Sequence, residues 1–243
     1  MKNIMTIDSE YFDFGLWWGK IITSSYGHQD LMLYLNDKDS ILAHLKNNRS
    51  LKSFSIKNDS LIISGSVYID MFGASLHSEF QHAGSMYLNY IIVYLFEVLE
   101  QILKKSVFLF LLANNNLLKR VEQINSNFQI NTSFNLDNLT STELTRDIIK
   151  SVCKRASAYI IYGKIDKSFI RFENLIKLKY STNIIGFFKG LQNKRNIIVH
   201  ESEFKNVDLE YFHEIVNSFK EVLMGLEKEF DKKNIKYDRP FDW

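Results

Sequence analysis

Residues 90–113 read YIIVYLFEVLEQILKKSVFLFLLA and form the most apolar stretch of the chain. Five polar or charged side chains interrupt this stretch: Glu97, Glu100, Gln101, Lys104 and Lys105. A lone membrane-spanning helix needs about 20 predominantly apolar residues, and each charge at its centre costs about 3 kcal/mol. The stretch is therefore too polar to span a bilayer alone. We expect it to be the central helix of a buried bundle.

A helical pattern continues through the C-terminal two thirds of the chain. We expect the central helix to run from Tyr87 to Ala113, because a run of three asparagines, Asn114 to Asn116, follows it. Thr140 and Glu143 form a capping box, in which each side chain bonds the other's backbone N–H, and this box predicts the start of another helix. That helix is expected to end at Gly163, since glycine is a common C-terminal stop.

Further helices are predicted from apolar side chains that recur every three or four residues. They cover residues 117–124, 167–180, 182 to about 199, and a last helix whose N-cap is Asp208. The apolar positions of the last helix are Tyr211, Ile215, Phe219, Leu223, Leu226 and Phe230. Short connections between such helices favour an antiparallel bundle.

The first 85 residues have a different composition, irregular and prone to form strands. The aromatic-rich segment 11–18 is part of it, and residues 54–56 and 61–63 predict a hairpin that residues 67–69 extend. One helix is expected from Ser40 to Lys46, with Asp39 as its N-cap. The predicted fold is thus mainly α, an antiparallel helical bundle over residues 86–243. A small strand-containing segment of unknown role, residues 1–85, precedes it.

The charge of the chain is unevenly distributed. The formal net charge is only +2, but residues 140–205 contain 13 Lys or Arg against 6 Asp or Glu. A phosphate-rich ligand would be attracted to such a region, with an affinity that falls as salt rises. A basic surface that is merely solvated fits the same count equally well.

A single cysteine, Cys153, excludes an internal disulfide framework and fits a reducing cytoplasm. It lies in a predicted helix with no histidine near it in sequence, so we expect a small packed side chain rather than a nucleophile. The first residues carry no signal-peptide pattern. His77 and His82 flank Glu79 at a spacing that could hold a metal, but surface histidines are the favoured interpretation.

The stretch that best fits a catalytic site is Arg195-Asn196-Ile197-Ile198-Val199-His200. It brings a permanent cation and an imidazole that titrates near neutral pH within six residues, around an apolar wedge that we expect to be buried. In a continuous helix four polar residues share one stripe: Lys189, Asn193, Asn196 and His200. Leu191 and Ile198 then fall on the opposite, buried side. The alternative is purely structural: Arg195 pairs with Glu201 or Glu203 while His200 caps the helix end.

This segment, late in a helical bundle and before a final amphipathic helix, resembles the R-x4-6-H motif of the HEPN superfamily. Asn196 matches the polar residue that commonly follows the arginine. The resemblance covers roughly residues 86–235. It implies a metal-independent endoribonuclease without a cofactor, which acts as a homodimer with two motifs in one cleft. Many members of the superfamily are toxins or effectors of antiviral defence, and some have an antitoxin or other regulatory partner.

Carried onto this chain, the resemblance assigns a role to each motif residue. His200 would transfer protons while the RNA 2′-hydroxyl attacks the adjacent phosphate, and Arg195 would stabilise the charge that builds on that phosphate. Asn196 would orient the histidine or the phosphate. From charge alone, Lys189 and Lys194 are expected to bind the RNA backbone. The product would be a 2′,3′-cyclic phosphate, so DNA should survive.

The chain departs from one branch of the superfamily, the toxins paired with a nucleotidyltransferase antitoxin. Those toxins usually carry a tyrosine two residues after the histidine, whereas this chain has Ser202. The departure argues against that branch. A second hypothesis stays open, in which the domain is catalytically inactive and binds RNA or a protein partner through its basic face.

Overall fold

The computed structural model describes residues 10–47, 53–54, 63–128, 146–201 and 209–239. These residues are mainly helical and form a bundle, as predicted, with two small two-stranded sheets. The helices are α1 (Phe14–Tyr26), α2 (Gln29–Asn36), α3 (Lys38–Asn47), α4 (Gly65–Ala113), α5 (Leu117–Asn127), α6 (Arg146–Ile160), α7 (Ile165–Ile176), α8 (Thr182–Asn196) and α9 (Leu209–Lys233). The strands are β1 (Phe12–Asp13), β2 (Ser53–Phe54), β3 (Ile63–Ser64) and β4 (Tyr237–Asp238). A π-helical turn, Ile197–Glu201, follows α8 directly.

The central element of the bundle is α4, whose 49 residues span about 70 Å at 1.5 Å per residue. It packs against α1, α2, α3, α6, α7, α8 and α9. Most side chains between Ile92 and Leu111 are buried, and the predicted end at Ala113 is confirmed. Across the ranges that the structure describes, no helix is both long enough and apolar enough to cross a membrane.

The start of α4 differs from the prediction. The helix begins at Gly65 instead of Tyr87, so residues 67–69, which we predicted as a strand, lie in its first turns. That prediction was wrong because β-branched and aromatic residues favour strands only weakly, and context readily overrides such a preference. Extending an existing helix adds one backbone hydrogen bond for each residue fixed, which favours continuation over a new strand.

The aromatic-rich segment near the N-terminus is also helical from Phe14 onward, after the two residues of β1. Asp13 caps α1, since its Oδ1 accepts a hydrogen bond from the backbone N–H of Leu16 at 2.7 Å. The buried residues of α1 recur at helical spacing: Phe14, Trp17, Ile21 and Ser25. They face α4 and α9. The strand-prone interpretation holds for Phe12 and Asp13 of β1 and was wrong for residues 14–18, where the buried side chains follow a helical period and not an alternating one.

The predicted hairpin and the predicted short helix are both present, with shifted ends. The strands β2 and β3 pair antiparallel, with Ser53 opposite Ser64 and Phe54 opposite Ile63. The helix α3 begins at Lys38, and its first turn is held by Asp37, whose Oδ1 accepts from the Ser40 N–H at 3.1 Å. The predicted N-cap, Asp39, already lies inside the helix.

The boundary that we predicted between residues 85 and 86 falls inside α4. Residues from both sides of it share an aromatic cluster at one end of the bundle. The ring of Phe230 lies 5.2 Å from that of Phe12 and 5.2 Å from that of Phe110, measured between centroids. The strands β1 and β4 pair in parallel, with Phe12 opposite Tyr237. The first and last described segments therefore belong to one core.

The remaining helices lie close to their predicted positions. The turn at Gly163, with φ +78°, follows α6 as expected. The helix α7 ends at Ile176 and not at Tyr180, because Lys177 adopts a left-handed conformation that ends the helix. In α9 the predicted apolar positions are fully buried apart from Tyr211, which is half-buried. The predicted capping box and the predicted N-cap at Asp208 lie outside the described residues.

A buried arginine joins α6 to α7. The side chain of Arg171 is 3% exposed, and its Nε donates to the Ile160 carbonyl at 2.8 Å. Its Nη2 donates to the Tyr162 carbonyl and, at 3.0 Å, to the Ser168 hydroxyl. These bonds satisfy two carbonyl groups at the end of α6 that the helix itself leaves without donors.

Replacing this arginine should weaken the fold more than an ordinary surface change does. Arg171→Met leaves the Ile160 carbonyl without a donor and the Tyr162 carbonyl with only the Ser168 hydroxyl at 3.3 Å, so we expect the free energy of unfolding to fall by about 1–3 kcal/mol. Urea denaturation of the variant and the wild type measures the difference. The matched control is Arg155→Met, at an exposed position of α6. Equal losses in the two variants would contradict this role.

Cys153 is a packed core side chain, as predicted. It is a free thiol with 0% exposure, and burial raises its pKa from the ordinary 9.0 to about 11. Thiolate is the reactive form of cysteine, so this thiol is poorly suited to nucleophilic chemistry at neutral pH.

The raised pKa of Cys153 predicts that the thiol reacts slowly at pH 8 and that the protein loses stability at alkaline pH. The native protein should resist Ellman's reagent at pH 8, and the same protein in guanidinium chloride should react fully. Because the folded pKa exceeds the unfolded one, the contribution to stability is complete below about pH 9 and is lost as pH rises towards 11. Denaturation of Cys153→Ala should show a shallower loss across this range. Rapid labelling of the native thiol at pH 8 would overturn the prediction.

Candidate active site

The helix that carries the predicted motif, α8, is fixed at both ends. At its start, the hydroxyl of Ser181 accepts a hydrogen bond from the Ile184 N–H at 3.3 Å. Near its end, the side chain of Gln192 accepts from the Ile165 N–H at 2.9 Å and donates to the Gly163 carbonyl at 3.1 Å. The end of α8 therefore lies beside the start of α7, and the two helices form an antiparallel pair.

The two faces of α8 follow the predicted pattern. Leu191 and Ile198 are buried, at 0% and 6% exposure. The predicted polar stripe is exposed at every position: Lys189, Asn193, Asn196 and His200. The apolar wedge inside the motif is only partly buried, contrary to expectation. Ile198 packs into the core, whereas Ile197 is half-buried and Val199 is 44% exposed.

The π-turn changes how the motif winds. In an α-helix, Arg195 and His200 would lie about 140° apart around the axis. A π-turn closes hydrogen bonds between residues five apart instead of four, so it winds less per residue. Since Ile197–Glu201 is such a turn, the angle between the arginine and the histidine is smaller than the α-helical value. The backbone positions of Arg195 and His200 are thus closer to one face of the helix than an uninterrupted α-helix would place them.

The guanidinium of Arg195 extends towards the polar stripe. Its Nη1 donates to the side-chain oxygen of Asn196 at 3.1 Å. Its Nε is buried and has no acceptor among the residues that the structure describes. Asn196 lies four residues before His200, on the same exposed stripe. The predicted alternative, a pair with Glu201 or Glu203, concerns side chains outside the described set.

Two lysines of the predicted RNA-binding set make contacts within the chain. The Nζ of Lys189 lies 3.3 Å from a carboxylate oxygen of Asp166, at the start of α7. The Nζ of Lys194 lies over the ring of Tyr211, 3.5 Å from its centroid. Burial, with a smaller contribution from Glu214, raises the pKa of Tyr211 to about 12, so the phenol stays neutral. Lys194 thus connects the end of α8 to the start of α9.

Sequence reasoning missed three residues that shape this end of the bundle: Asp166, Gln192 and Tyr211. Each contacts a partner on another helix, and helical periodicity carries no information on such pairs. Tyr211 was assigned only to the apolar face of the last helix. Its half-buried ring is a surface on which the Lys194 ammonium rests.

A metal centre has no support in the described ranges, where no group of three or more His, Cys, Asp or Glu side chains could hold an ion. The Nε2 of His77, part of the weak candidate set, lies 3.1 Å from the backbone carbonyl of Leu35. That nitrogen joins α4 to α2, which is a structural role.

Comparisons of the chain with known protein families, with curated proteins and with solved structures found no match.

The contact between Lys194 and Tyr211 predicts an energetic coupling between α8 and α9. In a double-mutant cycle with Lys194→Met and Tyr211→Leu, the coupling should be about 0.5–1 kcal/mol in the free energy of unfolding. In the control cycle, Lys189→Met takes the place of Lys194→Met. The Lys189 ammonium pairs with Asp166 and not with Tyr211, so the effects of the two substitutions should add. Additive behaviour in the first cycle would show that the ammonium does not rest on the ring in solution.

Proposed function

We propose that this protein is a metal-independent endoribonuclease of the HEPN type. The observation that carries the proposal is the hydrogen bond from Arg195 to Asn196. It holds a guanidinium beside an exposed polar stripe, and the imidazole of His200 lies on the same stripe four residues later. The resemblance of the motif to the R-x4-6-H pattern supplies the reaction class.

The chemistry needs a proton carrier and a stabiliser of negative charge. His200 moves protons as the 2′-hydroxyl of RNA attacks the neighbouring phosphate and the 5′-oxygen leaves. Arg195 stabilises the extra charge on the phosphate oxygens. Asn196 occupies one donor of the guanidinium and fixes its direction, so that the other terminal N–H groups, on Nη1 and Nη2, are available to the phosphate. None of these roles requires a metal or another cofactor.

The partly buried position of Arg195 favours such a role. A charge near the protein interior is screened less by water than a charge at the end of a mobile side chain. A guanidinium that is already held by Asn196 also loses less conformational freedom when it binds a phosphate. Lys189 and Lys194 contribute mainly through their charge, since their side chains are engaged with Asp166 and Tyr211.

We place two copies of the motif in one composite site. Val199, adjacent to His200, exposes 44% of its side chain and gives an apolar contact for a second copy. Twofold pairing is the commonest symmetry among soluble assemblies. By the same resemblance, the protein acts in the cytoplasm as a toxin or an antiviral effector. Such a nuclease needs restraint, which points to an antitoxin or a regulatory partner.

Cleavage of RNA in the presence of EDTA tests the proposal. We expect the purified wild type to cut structured RNA, to leave 2′,3′-cyclic phosphate ends and to spare DNA of the same sequence. His200→Ala and Arg195→Ala should each lower the rate by about 10²–10⁴-fold. Asn196→Ala should lower it by about tenfold, as expected for the loss of one hydrogen bond to a charged group.

Two substitutions of the same type serve as controls, His44→Ala and Arg155→Ala, both at exposed positions away from the motif. They should cleave like the wild type. Cleavage that survives in both motif variants would come from a contaminant or from another site and would end the proposal. No cleavage by any form, with RNA retained in a shift assay, would favour the inactive binding module.

A further inference from the structure

A pocket of about 410 Å³ lies at one end of the bundle. It is formed where α4, α7 and α9 end and α5 begins, and we call it the basic pocket. Its lining consists of Phe110, Ala113, Asn114, Leu117, Arg120, Leu175, Ile176, Lys177, Lys232, Lys233 and Asn234. The volume lies within the range of small-molecule sites, about 300–1,000 Å³.

The pocket is distinct from the motif on α8. Lys177 lines the pocket, and the short link after it leads directly into α8. From its start at Thr182, α8 runs away from this end of the bundle for 15 residues, about 22 Å. Its last two residues, Arg195 and Asn196, are the first two of the motif. The pocket and the Arg195–His200 motif therefore lie at opposite ends of α8. This inference does not depend on the ribonuclease proposal.

The inner wall of the pocket is apolar. Phe110, Leu175 and Ile176 are at most 4% exposed in the structure, and the half-buried Leu117 continues the same wall. A wall of this kind offers no partner for a hydrated ion. It fits the flat or aliphatic body of an organic molecule, because moving apolar surface out of water lowers the free energy.

The rim of the pocket is cationic, with Arg120, Lys177, Lys232 and Lys233, and its lining contains no carboxylate. Lys232 has a partner outside the lining, the Glu229 carboxylate at 2.5 Å. The other three side chains have no ionic or hydrogen-bond partner within the described ranges. Three unpaired like charges around one opening repel each other, and a bound anion would relieve that repulsion.

Helix ends alone account for only part of this arrangement. Cations near the last turn of a helix favour the partial negative charge of its carbonyl groups, which explains Lys232 and Lys233 at the end of α9. The same effect favours a cation at Lys177, which directly follows α7, but it does not explain the backbone conformation there. This residue has φ +67°, a left-handed conformation in which glycine is the usual residue after a helix. A strained backbone at a site-lining residue is a recognised indication of function.

We propose that the basic pocket binds a small phosphorylated metabolite with an apolar or aromatic body, of the nucleotide class. The apolar wall receives the body, and Arg120, Lys177 and Lys233 bind the phosphate groups. Guanidinium and ammonium groups together supply several donors to phosphate oxygens. Because the ligand contacts the ends of three helices and the start of a fourth, it stabilises the bundle by mass action.

The proposal is tested by calorimetric titration and thermal denaturation of the full chain with ADP, GDP, CDP and UDP. Adenosine and inorganic phosphate serve as probes of the body and of the charge alone. We expect at least one nucleoside diphosphate to bind and to raise the melting temperature. Adenosine should have no effect, and phosphate should bind at least tenfold more weakly than the nucleotide.

The decisive variant is Lys177→Gly, which removes a rim charge and relieves the left-handed backbone. It should raise the melting temperature without ligand, because glycine adopts φ +67° without strain, and it should weaken nucleotide binding by about tenfold or more. Arg120→Gln should weaken binding similarly. Lys228→Gln, at an exposed position of α9 outside the pocket, should bind like the wild type.

Three outcomes would overturn the proposal. One is that no nucleoside diphosphate binds. Another is that inorganic phosphate binds as tightly as the nucleotides, which would indicate a site for the anion alone. The last is that Lys177→Gly binds nucleotides as well as the wild type does, since the residue would then have only a structural role.

Discussion

The burial of α4 is the constraint on which the rest of the structure depends. Residues 91–111 of α4 are apolar on most sides, and such a segment is stable in water only when other elements surround it. In the described residues seven other helices pack against α4. The polar groups within its buried part are accommodated locally. Ser106 donates to the Ile102 carbonyl at 2.8 Å, and the ammonium of Lys105 lies 5.4 Å from the centre of the Phe108 ring. The positions of α7, α8 and α9 follow from this requirement.

The π-turn after α8 affects both the packing of the core and the geometry of the proposed site. Ile198 must stay in the core, and at 6% exposure it does. The neighbouring Val199 and His200 are exposed. A turn that winds less per residue allows this arrangement while it brings Arg195 and His200 towards one side. Turns of this type are rare and occur frequently at functional sites. The π-turn therefore points to the same two residues as the motif resemblance, Arg195 and His200.

The antiparallel pair α7 and α8 separates two basic regions of different character. At the end of α8, Arg195 and Lys194 engage a neighbouring amide and a neighbouring ring, and the surface there is open. At the end of α7, the cations surround a pocket with an apolar wall. An open surface suits an extended polyanion, whose phosphates lie along the outside of the molecule. A concave pocket suits a small ligand that buries much of its own surface. The two regions thus differ in the ligand that their shapes admit.

The sequence by itself determined the helical class, the end of α4, the buried face of α9 and the exposed stripe on α8, because each of these depends on periodicity or on a local stop signal. It also selected Arg195 and His200, which are close along the chain. Only the tertiary structure decided the helical state of residues 14–26, the early start of α4, the π-turn and the contact between Lys194 and Tyr211. Local preferences there are weak, and packing between distant segments outweighs them. The basic pocket belongs to the same group, since the link from α4 to α5 meets the distant ends of α7 and α9 only when α4 is buried.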